Sequence, residues 1–421
     1  MNKLAINGGP KIIRNKQIHA KWPPNANKKE ISEIGKQRNL DINISGKTGP
    51  IRKFEEMFLK FMNNEVKYAI TFNSGTSGLL AAYIAIGIEE GDEVIGPALT
   101  YHAALSPLHI LKAKVILADV EINSRCISPK SIKKLLTPQT KAITVVHQWG
   151  HPADMDAIIE IAKKYNLAII EDCSHAHGSK YKNKLVGTFG DVAVFSLQTN
   201  KAMFAGEGGI LVTNNQNIHD RATLVGHYRN RSKTEITNPF YNQYWATGFG
   251  LKLRMSPFNA IVAQHSLLNF KKIIFNRHKC LNYLTKRLTK EITFIEPPVI
   301  SKNVNMGAWY GYKPIYKSHQ LNNISREKFI KIVNAEGTQI SAPSGGILSK
   351  QILYHDKYTK FFPKFARYQN KIENTPNATF LETHCLSFPT FSNWERDKKI
   401  IDQYILIFKK VENLKKTLAK K

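Results

Sequence analysis

A lysine in a short turn between two apolar segments is the residue best placed for covalent chemistry. Lys201 follows the apolar run DVAVFSL and precedes the glycine-rich segment GEGG and a second apolar run, GILVTNN. An amine in a site that excludes water loses its proton easily, and the neutral amine can attack an aldehyde to form a Schiff base. Because the chain has 61 Lys and Arg residues, a lone lysine here is usually a solvated charge. Lys201 is therefore a candidate for covalent chemistry only if neighbouring segments supply the other groups of a binding site.

Three other segments place polar or aromatic residues directly after apolar runs. In FNSGTSGLL, Gly75, Thr76 and Ser77 open a predicted helix, whose free N–H groups suit a phosphate, although a plain helix cap has the same composition. In LAIIEDCSHAHG, Asp172 ends an apolar run, where it either meets a cation or donor or caps a helix. In VIGPALTYHAAL, Tyr101 offers a flat side chain that either stacks on a ring or fills space.

Taken together, the four segments match the needs of one cofactor. A phosphate cradle, a stacking side chain, a carboxylate for a ring nitrogen and an amine for an aldehyde are what pyridoxal 5'-phosphate (PLP) requires of a protein. In doubly wound sheets, ligands bind beyond the carboxyl ends of the strands, which is where all four segments are predicted to lie. The sequence therefore predicts a PLP site at one edge of a sheet.

The elements that must position these residues alternate between strand and helix. From about residue 66, short apolar runs alternate with segments of helical period, which is typical of βαβ units. Helix N-termini are predicted at Ser128, which precedes a proline, and at Asp154, and the segment 76–88 is predicted as a helix. We expect an α/β fold with a mostly parallel, seven-stranded sheet covered on both faces.

The chain is long enough for two hydrophobic cores. We predict an N-terminal arm over residues 1–45, a large PLP-binding domain over 46–265 and a smaller α+β domain over 266–421. The arm is expected to pack over the large domain or a partner subunit. A long basic helix is predicted near 260–287, where the large domain gives way to the small one.

Composition limits the function classes. The formal charge of +29 is spread along the chain, and no recognition helix or zinc signature accompanies it, so we expect no nucleic-acid partner. The four cysteines are widely separated, which favours neither a metal site nor a disulfide framework. Neither a leader-like apolar segment at the start nor a run of about 18 apolar residues is found, so the prediction is a soluble cytoplasmic protein with no membrane partner.

Several of these motifs resemble the DegT/DnrJ/EryC1/StrS family of PLP-dependent sugar aminotransferases. The likeness runs from GKTGPIRKFEE through SGTS, EDCSHAHG, FSLQTNK and GEGGILVTN to FGLKLRMSP, about half of the chain. It implies PLP-dependent transferase fold type I, the aspartate-aminotransferase-like fold. The strings LAINGGPK and VVHQWGHPADMD look closest to scyllo-inosose aminotransferases and aminohydroxybenzoate synthases.

The resemblance also implies roles for individual residues. Lys201 would hold PLP as a Schiff base and shuttle protons, and Asp172 would keep the pyridine nitrogen protonated. Tyr101 occupies the stacking position. The residues expected to hold the phosphate are Gly75, Thr76, Ser77 and Ser196.

Two positions depart from the family pattern. His175 stands where many relatives have Gln, which contacts the ring hydroxyl of the cofactor, so its proton state would tune the site. Lys252 stands where relatives often have an Asn that reaches the phosphate of the neighbouring subunit, and a surface lysine is the alternative. If Lys252 plays that part, the active site is shared across a homodimer.

The implied reaction is a ping-pong transamination. Glutamate or glutamine would donate the amino group, and a ketosugar, free or nucleotide-linked, or a cyclitol ketone would accept it. Alternatives are a PLP-dependent dehydratase or aromatising synthase on the same scaffold, and a sensor that keeps the fold without turnover. Relatives that dehydrate sugars carry His in place of the catalytic lysine, so Lys201 disfavours the dehydratase.

Overall fold

A computed structural model of the chain describes residues 3–14, 19–44, 46–354, 371–372 and 374–415. The predicted arm and the predicted small domain each include residues outside these ranges. The domain boundaries at 45/46 and 265/266 stay predictions.

The centre of the fold is one large sheet. Its strand order is β1-β7-β6-β5-β4-β2-β3-β8. The strands are β1 (Tyr68–Phe72), β2 (Glu93–Pro97), β3 (Lys114–Ala118), β4 (Thr140–Val146), β5 (Ala168–Asp172), β6 (Val192–Ser196), β7 (Gly209–Thr213) and β8 (Lys371–Ile372). Only β7 is antiparallel to its neighbours, β1 and β6. The predicted seven-stranded, mostly parallel sheet is confirmed, and β8 is an addition at its edge beside β3 that no sequence pattern indicated.

Helices flank the sheet and continue into the C-terminal region. They are α1 (Lys28–Arg38), α2 (Gly49–Phe61), α3 (Gly75–Ile86), α4 (Pro107–Ile110), α5 (Pro129–Leu135), α6 (Met155–Tyr165), α7 (Gln216–Gly226), α8 (Asn230–Glu235), α9 (Pro239–Asn242), α10 (Pro257–Leu268), α11 (Phe270–Glu291), α12 (Arg326–Ala335), α13 (Pro376–His384) and α14 (Trp394–Asn413). Ser128 and Asp154 cap α5 and α6 through their side chains, as predicted. The best-placed helix for ligand binding is α3, which begins directly after β1.

Alternate residues of the strands enter different cores, as the two-residue period of a strand requires. In β6, Val192 and Val194 join the core beneath α3 and α7, whereas Ala193 and Phe195 join the core beneath α2 and α10. Both faces of the sheet are therefore buried, and the polar groups that remain accessible are concentrated at the strand ends.

A further core lies outside the large sheet. It joins apolar residues of α11, α12 and α14 with Leu4 and Ile13 from the N-terminal region. Short strands at Ile295–Glu296 and Ile315–Tyr316 pair in this part of the molecule, while Val304–Asn305 pairs with Lys180–Tyr181 beside Lys184–Leu185.

The long helix predicted near 260–287 is two helices. They meet at Asn269, which ends α10 and precedes α11. The Asn269 side chain donates a hydrogen bond to the carbonyl of His265, and such local bonds from Asn compete with helix continuation. The sequence pattern predicts one helix because apolar residues keep the helical period on both sides of the break.

Among the described residues, no helix is long and apolar enough to cross a membrane.

Candidate active site

A cavity of about 680 Å³ opens at the carboxyl ends of β4, β5 and β6, beside the N-terminus of α3. Its volume lies in the range that small-molecule sites usually have. Seven of the nine predicted site residues line it: Gly75, Thr76, Tyr101, Asp172, His175, Ser196 and Lys201. Most of the residues predicted from the sequence therefore lie around one cavity.

The N-terminus of α3 provides one wall. Ser74 caps the helix by accepting a hydrogen bond from the N–H of Ser77 at 3.0 Å. The N–H groups of Gly75 and Thr76 lie in the first turn, where no partner exists within the helix. A side-chain carbon at Gly75 would lie only 2.8 Å from Cβ of Ser196, so glycine allows the helix to approach β6. This close approach puts free backbone donors next to the Ser196 hydroxyl.

Lys201 lies in a loop that connects β6 to β7. Hydrogen bonds from the Leu197 N–H to Gly208 and from the Thr199 N–H to Gly206 close the loop at its base. The Lys201 Nζ atom lies 4.4 Å from the centre of the Tyr310 ring. Burial lowers the pKa of this amine to about 8, although the charge of Asp172 acts in the opposite direction. The amine is therefore easier to deprotonate than a solvated lysine.

Asp172 ends β5 and faces the same cavity. Its Oδ1 accepts a hydrogen bond from the Ser174 N–H at 3.0 Å, which orients the carboxylate. The described residues give it no ion pair with Lys or Arg. The carboxylate thus keeps acceptor capacity for a cationic or N–H group in the cavity.

His175 is held as a neutral ring. It stacks on Tyr310 with ring centres 4.0 Å apart and an interplanar angle of 6°. Burial, followed by the charges of Lys201 and Lys313, lowers the pKa of His175 well below its usual value. Its Nδ1 accepts a hydrogen bond from the Trp149 N–H at 3.4 Å, which leaves the proton on Nε2. His175 therefore acts as a hydrogen-bond donor, and its charge does not change near neutral pH.

The other predicted residues differ in their positions. Tyr101 borders the cavity, is 56% exposed, and has its ring centre 4.5 Å from that of His102. Ser77 lies outside the lining, and its hydroxyl donates to the Asn73 side chain at 2.7 Å. Lys252 is exposed and does not line the cavity of its own chain.

The lining residues that the sequence did not predict include Gln148, Trp149, Tyr310 and Lys313. Gln148 and Trp149 follow β4 in VVHQWG, a string that indicated only a family likeness. Tyr310 and Lys313 come from WYGYKPIY, far along the chain, and no local pattern links them to β5. The strand-end rule that found Asp172 would also have found Gln148.

The lining residues fit PLP. Gln148 Oε1 and Thr100 Oγ1 are buried polar atoms without a hydrogen-bond partner among the described residues, and both belong to the lining. Such atoms are uncommon in folded proteins unless a ligand or water satisfies them. The cavity also combines helix N–H donors, an amine and a carboxylate in one space. These are the groups that PLP needs.

The fold and the cavity together define a PLP-dependent enzyme of fold type I. A solved aminotransferase from Psychrobacter cryohalolentis is similar in structure, with a TM-score of 0.80, 26% identity, and coverage of 93% of this chain and 98% of that chain. The predicted fold class is confirmed.

The particular family follows from the sequence match. The model of the DegT/DnrJ/EryC1/StrS aminotransferase family matches residues 25–403. The chain belongs to this family, and the resemblance drawn from its motifs is confirmed, as are the aminotransferase class and PLP as cofactor.

The relatives with assigned names include a GDP-perosamine synthase and scyllo-inosose aminotransferases. The GDP-perosamine synthase of Escherichia coli O157:H7 is 39% identical over 245 residues, which are 58% of this chain and 65% of that protein. A putative L-glutamine:3-amino-2,3-dideoxy-scyllo-inosose aminotransferase of Micromonospora echinospora is 30% identical over 80% of this chain and 78% of that protein. The L-glutamine:scyllo-inosose aminotransferase of Streptomyces griseus is 33% identical, over 52% of each chain.

Proposed function

We propose that this protein transfers an amino group from L-glutamate or L-glutamine to a ketosugar, free or nucleotide-linked, or to a cyclitol ketone. The observation that carries the proposal is that Lys201 and Asp172 face one cavity and that burial lowers the pKa of the Lys201 amine to about 8. A lysine with these properties can form a Schiff base and exchange protons near neutral pH.

The residues that would hold PLP surround this cavity. When bound, the cofactor supplies a carbonyl carbon that takes up an amino group and a ring that accepts electron density. Lys201 would hold it covalently. Phosphate contacts are proposed for the N–H groups of Gly75 and Thr76 and for the Ser196 hydroxyl, with Ser77 contributing through the cap of α3.

Asp172 and His175 would set the electronic state of the ring. The Asp172 carboxylate can accept a hydrogen bond from a protonated pyridine nitrogen. The neutral His175 ring presents Nε2–H as a donor, which suits the ring oxygen that its position in the family implies. Tyr101 would cover one face of the ring from the edge of the cavity.

Lys201 would also move the proton that each half of the reaction requires. Its neutral amine would take a proton from the substrate carbon, and the resulting ammonium would return it at the neighbouring position. Because the Lys201 Nζ lies against the Tyr310 ring and the described residues give it no ion pair, the amine is free to act as base and then as acid. A second base is not needed, which suits a ping-pong sequence.

The names of two relatives favour two chemical classes of acceptor. One relative is named a GDP-perosamine synthase, which favours a nucleotide-linked ketosugar. Others are named L-glutamine:scyllo-inosose aminotransferases, which favours a cyclitol ketone and glutamine. We propose the shared chemistry, amination of a ketone on a polyhydroxylated ring.

A dehydratase on this scaffold is the alternative. A solved GDP-4-keto-6-deoxymannose-3-dehydratase has the same fold, at 22% identity and a TM-score of 0.78. At that identity the likeness concerns the fold alone. Lys201, with its lowered pKa, favours transamination here.

We further propose a homodimer in which Lys252 reaches the partner's phosphate site, since Lys252 is exposed and outside its own cavity. A cytoplasmic location and the domain boundaries at 45/46 and 265/266 belong to the same proposal.

The test is an amino-donor and ketone scan with purified, PLP-loaded protein. We expect L-glutamine or L-glutamate alone to change the visible spectrum of the cofactor in a single turnover, and a ketone of one proposed class to restore it. Release of an unsaturated or deoxygenated product without consumption of donor would instead identify a dehydratase.

A further inference from the structure

A second lysine borders the active-site cavity. Lys313 is fixed by its backbone, because the flanking residues Tyr312 and Pro314 accept hydrogen bonds from the N–H groups of Phe388 and Leu386. The Lys313 carbonyl itself accepts from the buried Arg125 at 3.1 Å. The side chain therefore projects from a rigid segment into the cavity wall.

The charge of Lys313 has no ionic partner among the described residues. Its Nζ donates a hydrogen bond to the Ser387 hydroxyl and lies 5.9 Å from the centre of the Trp149 ring. The carboxylates of Asp172 and Glu207 line the same cavity, but among the described residues neither forms an ion pair with Lys313. An enclosed cation without a counterion is costly, and an entering anion would offset that cost.

Two uncharged side chains of the same lining have buried polar atoms without a partner among the described residues. Gln148 adjoins Trp149 in the lining, and the buried Oε1 of Gln148 and Oγ1 of Thr100 have no hydrogen-bond partner among the described residues. The Thr100 hydroxyl can donate to an anionic oxygen, whereas the Gln148 Oε1 can only accept and suits an N–H or O–H group of a substrate. A cation with a neutral hydroxyl donor is a suitable set for an oxyanion.

Lys313 and Lys201 contact different parts of the lining. Tyr310 lies against Lys201 and stacks on His175, whereas Lys313 faces Trp149, whose N–H donates to His175. Burial lowers the pKa of Lys313 to about 8, which leaves it mostly cationic at neutral pH. The second amine is therefore available for binding, separate from the amine that would perform the covalent chemistry.

We infer that Lys313 is a specificity-determining residue that binds an anionic oxygen group of a substrate, together with the Thr100 hydroxyl. The group is either a carboxylate of the amino donor or a phosphate of the acceptor. The inference rests on the proposed aminotransferase function and deepens it, since a transaminase must select an amino donor and an acceptor in one cavity.

The test uses PLP-loaded protein and Lys313→Met, with Lys163→Met, an exposed lysine of α6, as the matched control. Titration with succinate and with inorganic phosphate, followed by intrinsic fluorescence, measures anion binding without turnover. We expect Lys313→Met to weaken binding of at least one anion roughly 10- to 100-fold, as expected for loss of a charged hydrogen bond, and Lys163→Met to change neither. Lys313→Arg should retain binding.

The two half-reactions identify the source of the anion. A raised KM for L-glutamate or L-glutamine in the donor half-reaction assigns the group to the donor. An unchanged donor half-reaction with a raised KM for a phosphate-bearing ketone assigns it to the acceptor. Unchanged anion binding in Lys313→Met would overturn the inference.

A second variant distinguishes loss of anion binding from loss of folding. If Lys313→Met fails to bind PLP, Lys313→Gln, which can still donate to Ser387, replaces it, and unchanged anion binding in that variant refutes the inference equally. Absence of any donor half-reaction in the wild type would refute the proposed function, whereas the anion titrations would still decide the role of Lys313.

Discussion

The end of strand β5 carries two consecutive carboxylates in opposite surroundings. Glu171 is fully buried and accepts hydrogen bonds from His147 at 3.0 Å and from the N–H groups of Gly187, Phe189 and Gly190 at 2.7 to 2.8 Å. The side chain of Asp172, the next residue, faces the cavity with one described hydrogen bond, from the Ser174 N–H. The two side chains differ because consecutive residues of a strand point to opposite faces.

Glu171 stabilises the fold, whereas Asp172 is available to a ligand. Burial alone would raise the pKa of Glu171, but the hydrogen bonds from His147 and the backbone outweigh it and lower the pKa. Its acceptor capacity is used within the protein. Asp172 keeps unused capacity, and so does the region around it, where the described residues leave Gln148 Oε1 and Thr100 Oγ1 without partners.

The largest effect is expected for a substitution among the residues that face the cavity. Lys201→Ala should lose the visible absorbance of covalently held PLP and at least about 10³-fold of transamination, because it removes both the covalent attachment and the proton shuttle. Absorbance spectra and single-turnover kinetics measure both losses. Lys163→Ala, on the exposed face of α6, should behave as the wild type. Retention of the absorbance band in Lys201→Ala would contradict the assignment.

The second largest effect is expected for Asp172→Asn. We expect a loss of roughly 10²-fold in the donor half-reaction, since the neutral amide no longer stabilises a protonated ring nitrogen. The thermal midpoint of the cofactor-free protein should change little, because the Asp172 side chain makes only one hydrogen bond to the described residues. A variant with normal kinetics but a much lower midpoint would place Asp172 with Glu171 among the structural carboxylates.

The sequence predicted the part of the site that lies at strand ends. Asp172, Gly75 and Lys201 directly follow or end apolar runs, and parallel packing of those runs brings their carboxyl ends to one edge of the sheet. Local signals were sufficient there, as they were for the side-chain caps at Ser128 and Asp154.

The rest of the site depends on contacts distant in sequence. Tyr310 stacks on His175 and Lys313 joins the wall only because the segment after α11 folds back over β5. Neither residue stands at a strand end. Strand β8 also depends on a distant contact, because a strand of two residues is recognised only by its pairing with β3. Sequence periodicity cannot report such pairings.

For Glu171, the buried carboxylate, we expect an effect on stability and not on catalysis. Glu171→Gln should destabilise the protein by about 3 kcal/mol, because one acceptor becomes a donor that faces backbone N–H groups and the charge that His147 contacts is removed. Denaturant unfolding of the cofactor-free protein measures this change. The rate per cofactor-loaded site should stay close to that of the wild type. A fall in that rate like that of Asp172→Asn, without loss of stability, would break the distinction between the two carboxylates.

The smallest expected effect concerns the acid–base behaviour of Lys201. Trace labelling of the cofactor-free protein with acetic anhydride, read by mass spectrometry across a pH series, should give Lys201 a midpoint near its pKa of about 8. A solvated lysine, with free N-acetyl-lysine as internal standard, titrates near 10.4.

The two carboxylate variants should move this midpoint differently. The charge of Asp172 raises the pKa of Lys201, so Asp172→Asn should shift the midpoint to lower pH, because the ammonium form loses a stabilising anion. Glu171 is not among the groups that shift Lys201, so Glu171→Gln should leave the midpoint in place. Equal shifts in both variants would mean that Lys201 responds to the net charge of the strand end, and the electrostatic pairing of Lys201 with Asp172 across the cavity would have to be abandoned.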